Sequence, residues 1–263
     1  MYDLPSEDPE EPGLPDQFHL LQPRLLDDTF RPSNYPSDQI LVASDLNLYY
    51  DWRHPNWYKR PDWFAVVGVS SLYEESELRL SYVIWQEQVN PFVVVELLSP
   101  GTEDEDLGRT ISPRGNPPTK WQVYERILRV PYYIIFSRYT NELQAFHLVA
   151  DRYEPASLNN GRLLMPALGL SLGLWQGEYE DINRLWLRWF TSDGELILTP
   201  SEEAATAQQE AATAQQEAAT ATARAIEAEQ RATQAEQEAA LAKAKAERLA
   251  AKLRELNIDP SQL

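Results

Sequence analysis

An almost continuous run of apolar residues, Phe92 to Leu98, contains one acidic position, Glu96. Pro91 precedes the run and Pro100 with Gly101 follows it. A valine-rich run of this length predicts a strand that is buried on both faces. A bare carboxylate inside such a strand costs on the order of several kcal/mol unless a cation or hydrogen-bond donors meet it. We therefore expect a positive group, either a basic side chain or a metal ion, to face Glu96.

Other short apolar and alternating segments predict further strands around this one. They cover residues 40–50, 63–69, 81–86, 132–136 and 143–149, and short β segments continue through 163–198 with a hairpin at 192–194. Before the first strand, we expect residues 18–36 to form a helix or a loop that packs on the body. Trp121, Tyr124 and Leu128 recur at helical spacing, which predicts a helix over 120–128 capped by Thr119. A strand, a helix and a strand at this spacing predict a crossover that makes the strand of Glu96 parallel to strand 132–136.

Beyond Leu198 the pattern changes to a repeat of Glu-Ala-Ala-Thr-Ala-Gln-Gln that drifts into charged variants. These residues are strong helix formers, so residues 199–258 are predicted to form one helix. Apolar residues recur with alternating spacings of three and four from Ala204 and Ala207 to Leu253 and Leu256. That spacing predicts a left-handed, parallel coiled coil through residues 203–258, most simply a homodimer. A single solvated helix is the alternative.

The composition limits the class of protein. At 263 residues the chain can hold one sizeable core with an appendage, and it has no cysteine, which excludes thiolate metal sites, disulfides and cysteine nucleophiles. Residues 1–17 are acidic and rich in proline, which predicts disorder rather than a signal peptide. No apolar run approaches the roughly 18 residues that span a bilayer. We expect a soluble cytoplasmic protein without a membrane partner, divided into a disordered segment 1–17, a folded domain 18–198 and the helix 199–258.

The net charge of −18 argues against a general nucleic-acid coat protein, because phosphate contacts need lysine and arginine. Two segments depart from this average. Residues 52–60 carry three basic residues and no acid, and residues 107–131 carry five basic residues against Glu125 alone. Either segment could equally be an ordinary solvated surface.

Three residues combine into a plausible site. Asp62 follows a proline at the start of a strand, Glu96 lies in a buried strand, and Lys120 opens the next helix. Carboxylates from adjacent strands can share a divalent cation, which polarises a phosphodiester and acidifies a water, while a lysine stabilises developing charge. The alternative is a structural ion pair between Glu96 and Lys120, with Asp62 an ordinary acid at a strand end.

A set of short motifs supports the first interpretation. They are Pro61-Asp62, the segment 94–102, Asp106-Leu107-Gly108, Lys120-x-x-x-Tyr124 and the segment 130–133. Their order and spacing resemble the Uma2 family of restriction-endonuclease-like proteins, within the PD-(D/E)XK nuclease superfamily. The resemblance implies an α/β (α+β) fold, a mixed sheet flanked by helices, and a nuclease that cuts DNA with Mg²⁺ or Mn²⁺. By this resemblance Asp62 and Glu96 are catalytic residues that bind the metal, and Lys120 is the third catalytic residue. Position 98, two residues after Glu96, is leucine rather than the lysine of the (D/E)XK motif, and Lys120 on the helix takes over its role.

Some positions depart from the family pattern. Ser137 stands where the family often has an aspartate, the loop 110–119 is longer than usual, and Asp45 and Asp51 are candidates for a further acidic ligand. The acidic run 103–106 is interpreted as a solvated loop, and the three histidines show no metal-ligand spacing. Two functions of different class remain open: a metal-dependent endonuclease, and a catalytically silent nuclease-fold scaffold or interaction protein assembled through its coiled coil.

Overall fold

The computed structural model describes residues 16–74, 76–99 and 103–255. They divide into two compact units, the first ending at Pro200 and the second beginning at Ser201. The helices are α1 (Gln17–Thr29), α2 (Ile84–Glu87), α3 (Glu103–Asp106), α4 (Lys120–Gln122) and α5 (Pro200–Glu255). The strands are β1 (Ile40–Ala43), β2 (Leu48–Tyr49), β3 (Tyr58–Lys59), β4 (Trp63–Val67), β5 (Tyr82–Val83), β6 (Val93–Leu97), β7 (Tyr132–Ser137), β8 (Glu142–Val149), β9 (Arg152–Pro155), β10 (Arg162–Met165), β11 (Leu170–Tyr179) and β12 (Ile182–Thr191).

A six-stranded mixed sheet with the order β1-β4-β6-β7-β8-β9 forms the centre of the first unit. Within this sheet only β6 and β7 run parallel, with Glu96 beside Ile135, and its other neighbouring pairs are antiparallel. The predicted parallel crossover is therefore confirmed, and α4 lies within it. Two smaller sheets, β10-β11-β12 and β3-β2-β5, complete the unit. The expected α/β (α+β) class, a mixed sheet with helices and a long C-terminal helix, is confirmed.

Every residue of β4, β6 and β7 is buried, because both faces of the central sheet are covered. Side chains of a strand alternate between the two faces. Val93, Val95 and Leu97 face a core that contains α1 and the β10-β11-β12 sheet. Val94 and Leu98 face a second core with Val123, Tyr124 and Leu128, which follow α4. Glu96 is two residues after Val94, so its side chain lies on the same face of the sheet and faces the segment that follows α4.

Three predicted elements differ from the structure. The predicted strand 40–50 is broken into β1 and β2, with Asp45 in the left-handed region (φ 56°) between them. The predicted strand 81–86 is only the two residues of β5, and α2 follows at once, since short apolar runs do not distinguish strand from helix. The predicted helix 120–128 begins as α4 and continues as a π-helical turn, Val123–Ile127, which we call the π-turn.

From Ser201 onward the long helix α5 forms the described part of the second unit, and its 56 residues include no buried side chain. It begins at Pro200, one residue after the start of the predicted helix 199–258, and the predicted end lies outside the described residues. Of the segment 1–17, residues 1–15 also lie outside them, and Asp16 and Gln17 form the start of α1. Within the described ranges, no helix combines the length and the apolar character needed to cross a membrane.

Candidate active site

Asp62 and Glu96 meet because their strands are antiparallel neighbours. The register pairs Trp63 with Val95 and Phe64 with Val94, and its continuation sets Asp62 opposite Glu96. The backbone N–H of Asp62 lies 3.4 Å from Glu96 Oε2, and the N–H of Leu97 donates to Asp62 Oδ2 at 2.6 Å. The two carboxylates therefore lie on one face of the sheet, side by side at the end of β6.

Lys120 brings a positive charge to this face. Its Nζ lies 3.0 Å from Glu96 Oε2 and 3.0 Å from Asp106 Oδ1, and its side chain is 15% exposed. The predicted cap is confirmed: Thr119 Oγ1 accepts from the N–H of Gln122, and the Gln122 side chain accepts from the N–H of Thr119. This capping box fixes the first turn of α4 and with it the starting point of the lysine side chain.

Glu96 is fully buried and is held at both oxygens. Lys120 reaches Oε2, and the hydroxyl of Tyr124 donates to Oε1 at 2.8 Å. Tyr124 lies in the π-turn, one turn after Lys120, so the same short segment supplies both partners of the carboxylate. The positive group that the sequence requires next to Glu96 is thus a lysine, with a tyrosine hydroxyl as a second donor.

The cluster contains three carboxyl groups and one amine. Burial raises the pKa of Glu96 well above its usual range, the Lys120 ammonium opposes this, and the carboxylates of Asp106 and Asp62 add to it. Burial likewise raises the pKa of Asp62, against the effect of Lys120. Burial disfavours the charged form of Lys120, but the surrounding carboxylates outweigh it and raise the lysine pKa well above its usual range. Three carboxylates thus surround one ammonium that keeps its proton.

Asp106 belongs to the site, and the expectation that run 103–106 is solvated is wrong for it. Glu103 and Asp104 are exposed, whereas Asp106 is 1% exposed and pairs with Lys120. Gly108 explains how α3 approaches α4: its φ is +67°, and a Cβ there would lie 2.7 Å from the Trp121 ring. The motif Asp106-Leu107-Gly108 was the available sequence signal, but charge alone suggested a loop.

His19 is a second residue that the sequence did not reveal. Its Nε2 lies 3.1 Å from the carbonyl oxygen of Leu97, and its Nδ1 lies 3.0 Å from Asp16 Oδ1. Both partners accept hydrogen bonds, so the doubly protonated ring satisfies both. Burial opposes this form, but Asp16, Asp62 and the Leu97 carbonyl together raise the pKa of His19. Arg138 in turn pairs with Asp16.

A cleft of about 320 Å³ opens beside these groups. Its wall includes Asp62, Lys120 and the Leu97 segment but not the buried Glu96. The lining residues are His19, Asp45, Tyr58, Lys59, Arg60, Asp62, Leu97, Ser99, Glu105 and Lys120. Water and other small molecules can therefore reach the Asp62 carboxylate and the side chain of Lys120 through the cleft.

The candidates for a further acidic ligand have other partners. Asp45 lines the cleft, but both of its oxygens accept from Arg60, at 2.6 and 2.7 Å. Asp51 accepts from the N–H of Arg53 and contacts His54 Nδ1 at 2.8 Å, and the hydrogen-bonded His54 lowers its pKa. Ser137 is buried at the end of β7, where its hydroxyl accepts from the N–H of Thr140. Within the described residues, neither aspartate forms a hydrogen bond or an ion pair with Glu96.

The residues present fit a divalent cation of the magnesium type. In the described part of the chain, no three acidic or histidine side chains form a complete metal cage. Mg²⁺ is commonly held by one or two carboxylates, with waters and substrate phosphates filling its other positions. Asp62 and Glu96 offer two carboxylates on one face of the sheet, and with Asp106 they form a set of oxygen ligands of the kind that a divalent cation prefers.

Comparison with known proteins agrees with the motifs. The model of the Uma2 family, described as "Putative restriction endonuclease", matches residues 1–185. Among curated proteins, no relative of this chain is found. A solved structure, a "putative nuclease belonging to DUF820" from Anabaena variabilis, is similar over 60% of this chain and 77% of that chain, with 11% identity and a TM-score of 0.41. The family model covers well over half of this chain, and the chain therefore belongs to the Uma2 family.

Proposed function

We propose that this protein is a Mg²⁺- or Mn²⁺-dependent endonuclease that hydrolyses phosphodiester bonds of DNA. The observation that carries the proposal is the convergence of two strand carboxylates and one lysine beside an open cleft. Lys120 Nζ lies 3.0 Å from Glu96 Oε2, and Asp62, opposite Glu96, lines the cleft. Membership of a family described as "Putative restriction endonuclease" supports the same reaction.

The proposed roles follow from the position of each group. Asp62 and Glu96 would hold the divalent cation, which when bound polarises the phosphodiester and acidifies a water. Lys120 keeps the proton on Nζ, because nearby carboxylates raise its pKa, so it acts as a donor and a positive charge rather than as a base. Tyr124 holds Glu96 Oε1 in place, and Asp106 holds the ammonium of Lys120.

The direct test is cleavage of plasmid and linear DNA with Mg²⁺ or Mn²⁺. We expect the wild type to cut and Glu96→Gln to lose at least a hundredfold in rate. Glu178→Gln, which changes an exposed glutamate of β11, is the matched control and should cut like the wild type. Absence of cleavage by the wild type with either metal, over a range of DNA forms, would contradict the proposal.

One observation favours the scaffold as a second candidate. Both oxygens of Glu96 are already satisfied by Lys120 and Tyr124, so the buried pair is stable without a metal. A measurement of metal binding distinguishes the nuclease from the scaffold. Isothermal titration with Mn²⁺ should show a site in the wild type that Asp62→Asn abolishes if the chain is a nuclease. A scaffold would give no saturable binding with either protein.

We also propose that α5 pairs with α5 of a second chain through the alanine and leucine seam. Stepping by heptads from Ala204 and Ala207 gives only apolar residues, ending at Leu249 and Leu253 within the described helix. In a parallel pair, Arg224 meets Glu229, Arg231 meets Glu236 and Glu238 meets Lys243, all with opposite charges. An alanine seam buries little area, so Leu249 and Leu253 supply most of the stabilisation.

Sedimentation of the full chain tests this pairing. We expect a dimer at tens of micromolar and a monomer for the double variant Leu249→Lys, Leu253→Lys. Leu241→Lys is the matched control, because Leu241 is 71% exposed but lies off the seam. A monomeric wild type would contradict the pairing. A cytoplasmic location without a membrane partner, expected from the composition, stays a prediction.

A further inference from the structure

We propose that Tyr58 is a stacking platform for an unpaired base, so that the substrate is DNA with unpaired nucleotides next to the bond that is cut. This inference rests on the proposed nuclease function and adds the form of DNA that the cleft accepts. Base stacking on exposed aromatic rings is the common way in which proteins hold single strands.

Tyr58 has the geometry of such a platform. It lies on β3, is 45% exposed and lines the same cleft as Asp62 and Lys120. Its ring packs against Tyr49, with centroids 5.4 Å apart, and Tyr49 contacts Trp85 with centroids 6.5 Å apart. These ring contacts restrict the side chain of Tyr58, so we expect it to lose little conformational freedom when a base binds.

The charges in the cleft favour stacking over phosphate contacts. Duplex binding without base recognition depends on lysine and arginine side chains that neutralise phosphates. Among the described residues that line the cleft, Lys59 is paired with Glu105 at 2.6 Å and Arg60 with Asp45 at 2.6 Å. Lys120 is paired with Glu96 and Asp106. Because these cations already have carboxylate partners, we expect them to attract phosphates less than unpaired cations would, and we expect the exposed ring of Tyr58 to supply part of the affinity.

The segment around Tyr58 offers a second surface of the same kind. Trp52, in the loop before β3, is 66% exposed, and the guanidinium of Arg53 lies 5.2 Å from its ring centroid. Residues 52–60 carry no acid. A ring and a guanidinium together can hold a base and its phosphate.

The test is direct binding of the full-length protein to fluorescent DNA, with Ca²⁺ in place of Mg²⁺. The probes are a 20-nucleotide single strand, the matching blunt duplex, and the duplex with a bulge of three unpaired thymines. We expect the strand and the bulged duplex to bind at least tenfold more tightly than the blunt duplex. Tyr58→Ala should lose about tenfold on the two unpaired probes and change duplex binding less than twofold.

Matched variants separate stacking from a loss of structure. Tyr58→Phe keeps the ring and should bind like the wild type, as should Tyr73→Ala, which removes a 40% exposed tyrosine outside the cleft. Equal affinity for blunt duplex and single strand, an unchanged Tyr58→Ala protein, or no binding to any probe would each overturn the inference. Tighter binding of an RNA strand of the same sequence would overturn the choice of DNA.

Cleavage of the same probes with Mn²⁺ keeps the two proposals apart. A protein that cuts blunt and bulged duplex equally well supports the nuclease and contradicts the inference. A protein that binds the unpaired probes preferentially but cuts none supports the stacking surface and contradicts the nuclease.

Discussion

At the scale of single residues, the site is a buried charge cluster whose members depend on one another. Glu96 has no exposed surface, and its partners are Lys120, Tyr124 and the N–H of Asp62. Removing one partner of a buried ion pair leaves a charge without compensation, which commonly costs about 3–5 kcal/mol. Here Lys120 also compensates Asp106, so its loss affects two carboxylates.

Lys120→Ala should therefore lower the free energy of unfolding by about 2–4 kcal/mol and raise the pKa of Glu96 further. Urea unfolding at neutral pH measures the first effect, and part of the loss should be regained in the double variant Lys120→Ala, Glu96→Gln. Arg109→Ala, at a solvent-exposed ion pair with Glu103, is the control and should cost less than about 1 kcal/mol. An unchanged melting temperature for Lys120→Ala together with unchanged metal affinity would contradict the role of this lysine.

Asp27 gives a separate prediction about pH. Burial raises its pKa to about 6 from 3.8, although the indole N–H of Trp63 donates to it. The folded state thus binds the proton more tightly than the unfolded state, so this group destabilises the protein above pH 6. That cost fades as the pH falls through 6 and is gone below 3.8.

Asp27→Asn keeps an acceptor for Trp63 and removes the charge. It should stabilise the protein by about 1–3 kcal/mol at pH 7 and by almost nothing near pH 4. Thermal unfolding at both pH values measures the difference, with Glu178→Gln as the control. A variant equally stabilised at pH 4 and pH 7 would show that the charge is not the cause.

At the scale of elements, the local pattern determined much of the central sheet. The buried strand around Glu96, the parallel strand after it and the capped helix start at Lys120 all follow from apolar spacing and short motifs. Contacts that depend on tertiary docking were not predictable in this way. His19 reaches Leu97 across 78 positions, and nothing in the sequence around α1 indicates that its histidine faces β6. The break between β1 and β2 occurs at Asp45, whose backbone has a left-handed φ. The pattern of apolar residues gives no information about that φ.

The close approach of α3 to α4 depends on the absence of a side chain at Gly108, and a substitution there tests this dependence. A side chain at this position meets the Trp121 ring at 2.7 Å and must also adopt a positive φ. We expect Gly108→Ala to lower the free energy of unfolding by about 1–3 kcal/mol and to weaken the contact of Asp106 with Lys120. Gly115→Ala, at a position with φ +93° and open space around it, is the control for the backbone effect alone. Equal losses in both variants would show that the Trp121 contact does not matter.

At the scale of the whole molecule, one chain combines a compact α/β unit with a helix that has no buried residue. Isolated helices of this composition can form, but a 56-residue helix with an unbroken apolar seam is typical of a coiled coil. At about 1.5 Å per residue the helix would span about 80 Å. The opposite charges of the flanking positions contribute only about 0.2–0.5 kcal/mol per pair, so they select the register rather than stabilise the dimer.

The register can be tested by cross-linking at the weak end of the seam. In a parallel, in-register pair, Ala207 of one chain faces Ala207 of the other, whereas an antiparallel pair separates them by much of the rod. Oxidation of the full-length variant Ala207→Cys should therefore give a disulfide-linked dimer in high yield, helped by the absence of any native cysteine. Ala205→Cys, two positions away and off the seam, is the matched control and should cross-link slowly. Similar cross-linking of both variants would indicate random collision. A wild-type dimer whose Ala207→Cys form does not cross-link would establish antiparallel pairing, which close-packed alanine seams also permit.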